Sequence, residues 1–338
     1  MREVIWIRRL ALFGALLALG VVVLGGYTRL SNSGLGCPDW PGCFGHVAPT
    51  GSADTYATQA DVRKAWTEMI HRYAAGTLGL VIVCIAAFSW RARRERGVNV
   101  WFAAALLALV VFQGMLGMLT VTWLLKPLIV TGHLVGGLTT FALLWWLWLS
   151  MRARARAVDG YSVLAGNVLV QSGGRARVVA ALALVALSVQ VMLGGWNSSN
   201  YAAVACPDLP KCQDQWVPEA DFKDAFVLWR GLGINYAGGV LDHPARVAIH
   251  FTHRVGAVVA SVLLLAAAFL SMRGLGRGPR WAGVAVVAAL VLQLCIAYFM
   301  VKRAFPLPLA AAHNAGAALL VAAAVFLNRK LRPAPDFR

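Results

Sequence analysis

The chain has 338 residues, of which 59% are hydrophobic and only 13% charged, whereas soluble domains carry about 25% charged residues. This composition excludes a soluble globular domain, and the high hydrophobicity also excludes a disordered chain. The net charge of +17 would suit a nucleic-acid partner. The arginines, however, stand in short clusters between long apolar runs, so they indicate membrane topology and no nucleic-acid partner.

Apolar runs dominate the chain from end to end. A membrane-spanning helix needs about 20 mainly apolar residues. Eight runs meet that length: 10–28, 65–90, 98–125, 127–151, 178–197, 247–272, 281–301 and 304–328. The first run follows Arg8 and Arg9 as in a signal peptide, but no A-x-A-like cleavage site follows, so we expect it to be retained. The sequence therefore predicts an all-α integral membrane protein with eight transmembrane helices.

The basic clusters fix the expected orientation. They fall at the N-terminus, at 91–96, 152–177 and 273–280, and in the C-terminal tail, alternating with the other connections. The positive-inside rule then places these clusters and both termini in the cytoplasm. The long connections 29–64 and 198–246 lie outside. We expect a multi-pass protein of a bacterial inner membrane, embedded in the lipid bilayer.

The two halves of the chain resemble each other. GGYTRLSNSGLGCPDWPGC at 25–43 aligns with GGWNSSNYAAVACPDLPKC at 194–212, and EMIHR at 68–72 aligns with HFTHR at 250–254. Four helices per half return the chain to the same side, so the repeat is parallel. We predict two tandem four-helix bundles related by a pseudo-twofold axis along the membrane normal. They comprise residues 1–151 and 178–338, joined by a cytoplasmic linker, 152–177.

Four histidines lie inside the apolar runs at a common depth: His71, His133, His253 and His313. Ionisable residues within a membrane are costly and usually functional. Imidazole is a common axial ligand of haem iron, and two histidines on two helices could hold one haem in each half. Hydrogen bonding between helices and a proton relay are the alternatives.

One position breaks the repeat. Glu68 lies three residues before His71, on the same helix face, and its counterpart is His250. A carboxylate beside a haem can transfer protons or stabilise a developing cation, so the first half would be the reactive one. Alternatively, Glu68 is solvated or pairs with Arg72. We expect His250 to face the water interface. Arg72 and Arg254 either contact haem propionates or extend to the interface.

The paired cysteines lie in the outside connections. Cys37 and Cys43 enclose PDWPG, and Cys206 and Cys212 enclose PDLPK. Proline and glycine make tight turns, and an oxidising compartment permits disulfides, so each pair is expected to form a local disulfide. Whether the pairs are structural or redox-active stays open.

These motifs, together with TGHLVGG, IHFTHRVGA and AAHNAGA, resemble the heme A synthase family over about residues 5–330. The resemblance implies oxidation of the C8 methyl group of haem O, first to an alcohol and then to a formyl group. The product is haem A for cytochrome oxidase. Haem O would come from a haem O synthase. The electron-transfer partner is unknown, and a homo-oligomer is left open.

The resemblance also implies residue roles. His71 and His133 would hold the substrate haem O, with Glu68 essential, and His253 and His313 would ligate a haem b. The pair Cys37–Cys43 would take part in function.

Two other classes compete with this enzyme. A diheme b-type electron-transfer protein explains the histidines and the repeat but not Glu68 or the cysteine loops. A transporter built from parallel repeats would favour broken spans, which the sequence does not show.

Overall fold

A computed structural model of the chain describes residues 2–49, 58–95, 97–158, 174–273 and 275–332. Within these ranges the chain is helical, and eight of its helices are long and apolar enough to cross a membrane, which confirms the all-α prediction. They are α1 (Arg2–Leu30), α2 (Gln59–Arg91), α3 (Val100–Thr122), α4 (Pro127–Val158), α5 (Gly174–Ser199), α6 (His243–Met272), α7 (Arg277–Lys302) and α8 (Leu307–Leu331).

Several helices are longer than the apolar runs that predicted them. Helix α1 begins at Arg2 rather than at residue 10. Hydropathy marks the part of a helix that suits lipid, whereas backbone hydrogen bonding can continue into the headgroup region. For the same reason α4 continues to Val158 and α5 begins at Gly174, so both enter the predicted linker 152–177. The middle of that linker, 159–173, lies outside the described residues.

The helix starts follow local chemistry. The Thr58 hydroxyl accepts a hydrogen bond from Asp61 N at the start of α2, and the Asn99 side chain accepts one from Phe102 N at the start of α3. Helices α4 and α8 begin at or just after a proline, whose missing N–H costs nothing in the first turn.

The turns before α4 and α8 share an unusual backbone. Leu124 and Leu125 have φ of 49° and 60°, and Ala304 and Phe305 have φ of 54° and 59°. Non-glycine residues rarely adopt this left-handed region. Two such pairs, 180 residues apart in the chain, follow the spacing of the sequence repeat.

Buried apolar side chains form two main clusters. One joins α1 to α4 and includes Ala15, Ile85, Leu106 and Leu144. The other joins α5 to α8 and includes Leu187, Leu264, Val286 and Leu327. The two clusters also cross between these sets of helices, because the first includes Ala318 of α8 and the second includes Leu149 of α4.

Two glycines let the halves approach each other closely. A Cβ atom on Gly26 of α1 would lie 2.5 Å from the Asn314 amide of α8, and one on Gly195 of α5 would lie 3.0 Å from Leu134 of α4. Gly26 and Gly195 are the second members of the Gly-Gly pairs that align in the repeat. Small residues at such contacts are typical of helix packing in membranes.

Candidate functional site

Two of the predicted histidines face each other in the first half. His71 on α2 and His133 on α4 have ring centroids 6.4 Å apart, with ring planes at 89°. An iron with bonds of about 2 Å to one nitrogen of each ring would separate the centroids by about 6 Å. The pair therefore fits axial ligation of one haem iron.

Gly25 of α1 gives the imidazole of His71 its space. A Cβ atom there would lie 2.7 Å from Cε1 of His71, closer than side chains tolerate. Gly194 has the same place in the second half, where a Cβ atom would lie 3.1 Å from Cε1 of His253. The first glycine of each Gly-Gly pair thus allows a ring to stand against the helix backbone.

A cavity of about 1040 Å³ surrounds the first histidine pair. It is lined by His71, His133, Glu68 and Arg72, by the loop closed by the first disulfide, and by apolar residues of α1 to α4. Gln113 also lines it, and neither atom of this buried side-chain amide has a hydrogen-bond partner among the described residues. The amide packs against Gly136 of α4, because a Cβ atom there would lie 1.8 Å from Nε2.

Glu68 is buried, with 4% of its surface exposed. Its Oε2 accepts a hydrogen bond from Cys37 N at 3.0 Å, and its Oε1 lies 2.5 Å from Nη2 of Arg72. Of the two alternatives for this residue, the ion pair with Arg72 is present and full solvation is not. The carboxylate therefore connects the histidine helix to the disulfide loop.

Both predicted disulfides are present: Cys37–Cys43 and Cys206–Cys212. Arg72 holds the first loop, because its Nη1 donates to Asp39 O at 2.9 Å and to Gly42 O at 2.6 Å. Arg254 holds the second loop through Lys211 O at 2.8 Å and Cys206 O at 2.7 Å. The two arginines have matching positions, and one of their partners, Gly42 O or Lys211 O, is also at an aligned position.

These loop contacts use part of each guanidinium group. The expected propionate contact of Arg72 and Arg254 stays a prediction, and it would use the N–H groups that the loops leave free.

His250 does not face the water interface, contrary to expectation, because only 5% of its surface is exposed. Its Nε2 accepts a hydrogen bond from Nε of Arg254 at 3.2 Å, and its ring packs edge-on against Phe305. The loop closed by Cys206–Cys212 covers this part of α6. Counting residues along the helix gives the depth of His250 in the membrane, but it does not show that a loop buries the side chain. His250 thus takes the place of Glu68 beside the arginine but without a negative charge.

The aspartates of the two C-P-D motifs organise the loops. Asp39 accepts hydrogen bonds from Phe44 N and Gly45 N, at 2.7 and 2.8 Å, and Asp208 does the same for Gln213 N and Asp214 N. Burial acts to raise the pKa of Asp39, but the N–H groups of Gly45 and Phe44 outweigh it and hold the pKa below its ordinary value. These contacts explain why both motifs carry an aspartate.

This lowered pKa predicts a pH dependence of the first loop. A carboxylate with a depressed folded-state pKa stabilises the loop above its unfolded pKa of about 3.9, and that stabilisation is lost as the pH falls through the folded-state value. Reduction of Cys37–Cys43 by a phosphine should therefore accelerate a few-fold below about pH 4. Asp39→Asn should show the faster rate at neutral pH, whereas Asp208→Asn should leave it unchanged. A rate independent of both pH and Asp39 would contradict this role.

In the second half each predicted histidine has a glutamine partner. Nε2 of Gln190 lies 3.1 Å from Nδ1 of His253, and Nε2 of Gln293 lies 3.1 Å from Nδ1 of His313. Glycines make room for both amides, since a Cβ atom on Gly256 or Gly316 would lie 2.4 or 2.3 Å from the glutamine oxygen. The same glutamine nitrogens also lie 3.4 Å from Nε2 of His253 and 3.2 Å from Nε2 of His313, so each amide stands beside the edge of one ring. Ligation of a haem iron by His253 and His313 stays a prediction.

Sequence reasoning missed the role of these glutamines. Gln113 and Gln293 were visible as aligned residues of the repeat, and each precedes a histidine by 20 residues. Gln190 aligns with Val21, so no repeat signal points to it.

The helices and the histidine pairs define a polytopic helical membrane protein with two candidate haem sites. Residues 8–325 match the family model described as cytochrome oxidase assembly protein, COX15-CtaA. The chain is 39% identical to the heme A synthase of Shewanella oneidensis, over 96% of both chains. It is 26% identical to that of Rhizorhabdus wittichii, over 94% of this chain and 91% of the relative. It is 27% identical to human heme A synthase COX15, over 94% of this chain and 80% of the relative. The chain belongs to the COX15-CtaA family of cytochrome oxidase assembly proteins.

Proposed function

We propose that this chain is a haem A synthase that oxidises the C8 methyl group of haem O to a formyl group. The observation that carries the proposal is the first-half site. Two imidazoles face each other at 6.4 Å in a cavity of about 1040 Å³, and a buried carboxylate lies one helical turn from one of them. The family and the names of its relatives support the same activity.

The substrate haem O would be held by His71 and His133. Conversion of the methyl group to a formyl group, with water as the oxygen source, would release four protons and four electrons, and an external electron acceptor would take the electrons. Positive charge would develop on the methyl carbon as electrons leave it. Glu68 provides a negative charge and a proton acceptor on the same helix face as His71. Its ion pair with Arg72 and its hydrogen bond from Cys37 N fix the carboxylate in place.

The second half would hold a haem b through His253 and His313. When bound, this group would supply one-electron transfer. Gln190 and Gln293 orient the two rings, and His250 leaves this half without the carboxylate that marks the first. The second half would therefore serve electron transfer rather than methyl oxidation.

The test is haem extraction from a host that makes haem O but no haem A, with and without this chain. Haem A should appear only with the chain. Bound haem without haem A would instead favour a diheme b-type electron-transfer protein.

The glutamine partners predict that a side chain that contacts only the ligand histidine affects how tightly the haem is held. If Nε2 of His313 binds iron, its Nδ1 carries a proton and needs an acceptor. The oxygen and nitrogen of an amide have nearly the same shape, so turning the Gln293 amide supplies one. Gln293→Leu should therefore speed haem loss from the second half by about 10- to 100-fold. Transfer to apomyoglobin measures the rate. Gln113→Leu, at the aligned position of the first half, is the control and should not change it.

The proposed orientation has both termini in the cytoplasm and the disulfide loops outside. Reporter fusions after residues 95, 160 and 275 should report the cytoplasm, and a fusion near residue 215 should report the outside. We expect these results because basic connections alternate with less basic ones along the chain, and basic connections stay in the cytoplasm. A cytoplasmic signal at 215 would reject this topology. The membrane would be a bacterial inner membrane, and haem O would arrive from a haem O synthase.

A further inference from the structure

Two arginines flank one tryptophan where α4 of the first half meets α8 of the second, at the end of the bundle where both α1 begins and α8 ends. The guanidinium carbons of Arg329 and Arg332 lie 5.9 and 4.8 Å from the ring centroid of Trp146. Nε of Arg329 donates a hydrogen bond to Oγ of Ser150 at 3.1 Å. We refer to these four residues as the arginine–tryptophan cluster. It connects the two halves of the protein.

Arg329 is buried, with 7% of its surface exposed. Charged side chains are almost never buried unless they are paired. Among the described residues no carboxylate forms an ion pair with Arg329 or Arg332, and Ser150 is a neutral partner. The carbonyl end of α8 offsets about half a charge, whereas the two arginines carry two. The cluster therefore has an excess of positive charge.

The repeat shows that packing alone does not require a cation at this place. By the offset that relates His133 to His313, Leu149 of α4 is aligned with Arg329 of α8. Leu149 is buried to the same extent, 7% exposed, and belongs to the apolar cluster that joins α5 to α8. A buried charge is costly, whereas a leucine at the aligned position is not. The charge of Arg329 therefore indicates a binding role.

The remaining N–H groups of the two arginines are accessible from outside the protein. Arg332 is exposed, and Trp146 is half-buried. Nη1 and Nη2 of Arg329 make no hydrogen bond among the described residues, and neither atom is enclosed. Tryptophan and arginine at the end of a spanning helix lie at the depth of the lipid headgroups. The cluster therefore suits a phosphate group, which can accept several N–H groups of arginine at once.

We propose that the arginine–tryptophan cluster binds the headgroup phosphate of an anionic phospholipid. The phosphate oxygens accept hydrogen bonds from the Nη groups of Arg329 and from the guanidinium group of Arg332. The negative charge of the lipid replaces the carboxylate that the protein does not supply. Basic pockets between spanning helices are suited to such headgroups. The bound lipid connects α4 of the first half to α8 of the second.

The test measures lipid binding to the full-length protein, purified in detergent, by native mass spectrometry. Phosphatidylglycerol is compared with phosphatidylcholine of the same acyl chains, which has a phosphate group but no net charge. Inorganic phosphate, added at the same concentration, distinguishes a free anion from a lipid headgroup. Arg332→Gln is the main variant, because Arg332 is exposed and its replacement should not disturb folding. Arg329→Gln is the second variant.

Arg273→Gln is the matched control. Arg273 directly follows α6 as Arg332 directly follows α8, and it is exposed. Its guanidinium carbon lies 3.9 Å from the ring centroid of Phe269, and no second arginine contacts that ring among the described residues. The control therefore removes the same charge without touching the cluster. The thermal unfolding midpoint without added lipid shows whether each variant is folded.

Wild type should bind the first phosphatidylglycerol at least about fivefold more tightly than phosphatidylcholine, and each cluster variant should weaken phosphatidylglycerol binding by about fivefold. Arg273→Gln should bind like wild type. Equal affinity of wild type for the two lipids would overturn the proposal, as would an equal loss in Arg273→Gln. Displacement of phosphatidylglycerol by inorganic phosphate would also overturn it, because the site would then bind a free anion. If Arg329→Gln does not fold, Arg332→Gln decides the result.

Discussion

Glu68→Gln should lower haem A formation by about a hundredfold or more, the scale on which a positioned proton acceptor contributes to catalysis. Glutamine keeps the size of the side chain and an oxygen that can still accept the hydrogen bond from Cys37 N. It loses the negative charge and the ion pair with Arg72. Haem O or the hydroxylated intermediate should accumulate, as measured by chromatography of extracted haems.

A structural role for Glu68 would give a different result. If the carboxylate only held the disulfide loop, the glutamine variant would lose haem O binding or the Cys37–Cys43 disulfide along with activity. We expect both to be retained, since Arg72 still donates to Asp39 O and Gly42 O. Haem content and free-thiol titration of the purified variant therefore separate chemistry from scaffolding.

The repeat supplies the control for this substitution. His250 occupies the place of Glu68 in the second half and contacts the equivalent arginine, Arg254. His250→Ala should affect haem A formation less, because this half would only transfer electrons. Normal haem A formation by Glu68→Gln would remove the carboxylate from the mechanism, and with it the argument that the first half is the reactive one.

The helices and the disulfides could be predicted because their signals are local, and the histidines could be singled out because their signal is periodic. Apolar length marks a spanning helix, and a repeat makes aligned residues such as His133 and His313 stand out together. The short loops between paired cysteines similarly favour local disulfides. Each of these inferences requires only residues close in sequence or related by one offset.

Contacts between distant segments could not be predicted in this way. The partners of Arg72 in the disulfide loop are backbone carbonyls about 30 residues away, and a carbonyl group leaves no mark in the sequence. His250 is buried because a loop from another part of the chain covers it. Gln190 reaches His253 from a helix whose repeat partner carries valine at that position, and a valine side chain cannot make the aligned hydrogen bond.

His313→Ala should remove the haem b that we propose as the resident haem of the second half. One remaining imidazole, His253, would leave an iron with a single protein ligand and a much weaker hold on the haem. Loss of a ligand should cost more than loss of the side chain that hydrogen-bonds to it, which already costs about 10- to 100-fold in metal affinity. The purified variant should therefore lack most of the b-type absorption of wild type. The pyridine haemochrome assay gives the haem content.

The aligned variant His133→Ala is the matched control for this substitution. It should leave the resident haem and its spectrum intact, because His133 faces His71 in the other half. It should instead abolish haem O binding to the first half. If His313→Ala kept a full complement of haem b with an unchanged spectrum, His313 would not be a ligand. If His133→Ala lost the resident haem, the two halves would have been assigned the wrong way round.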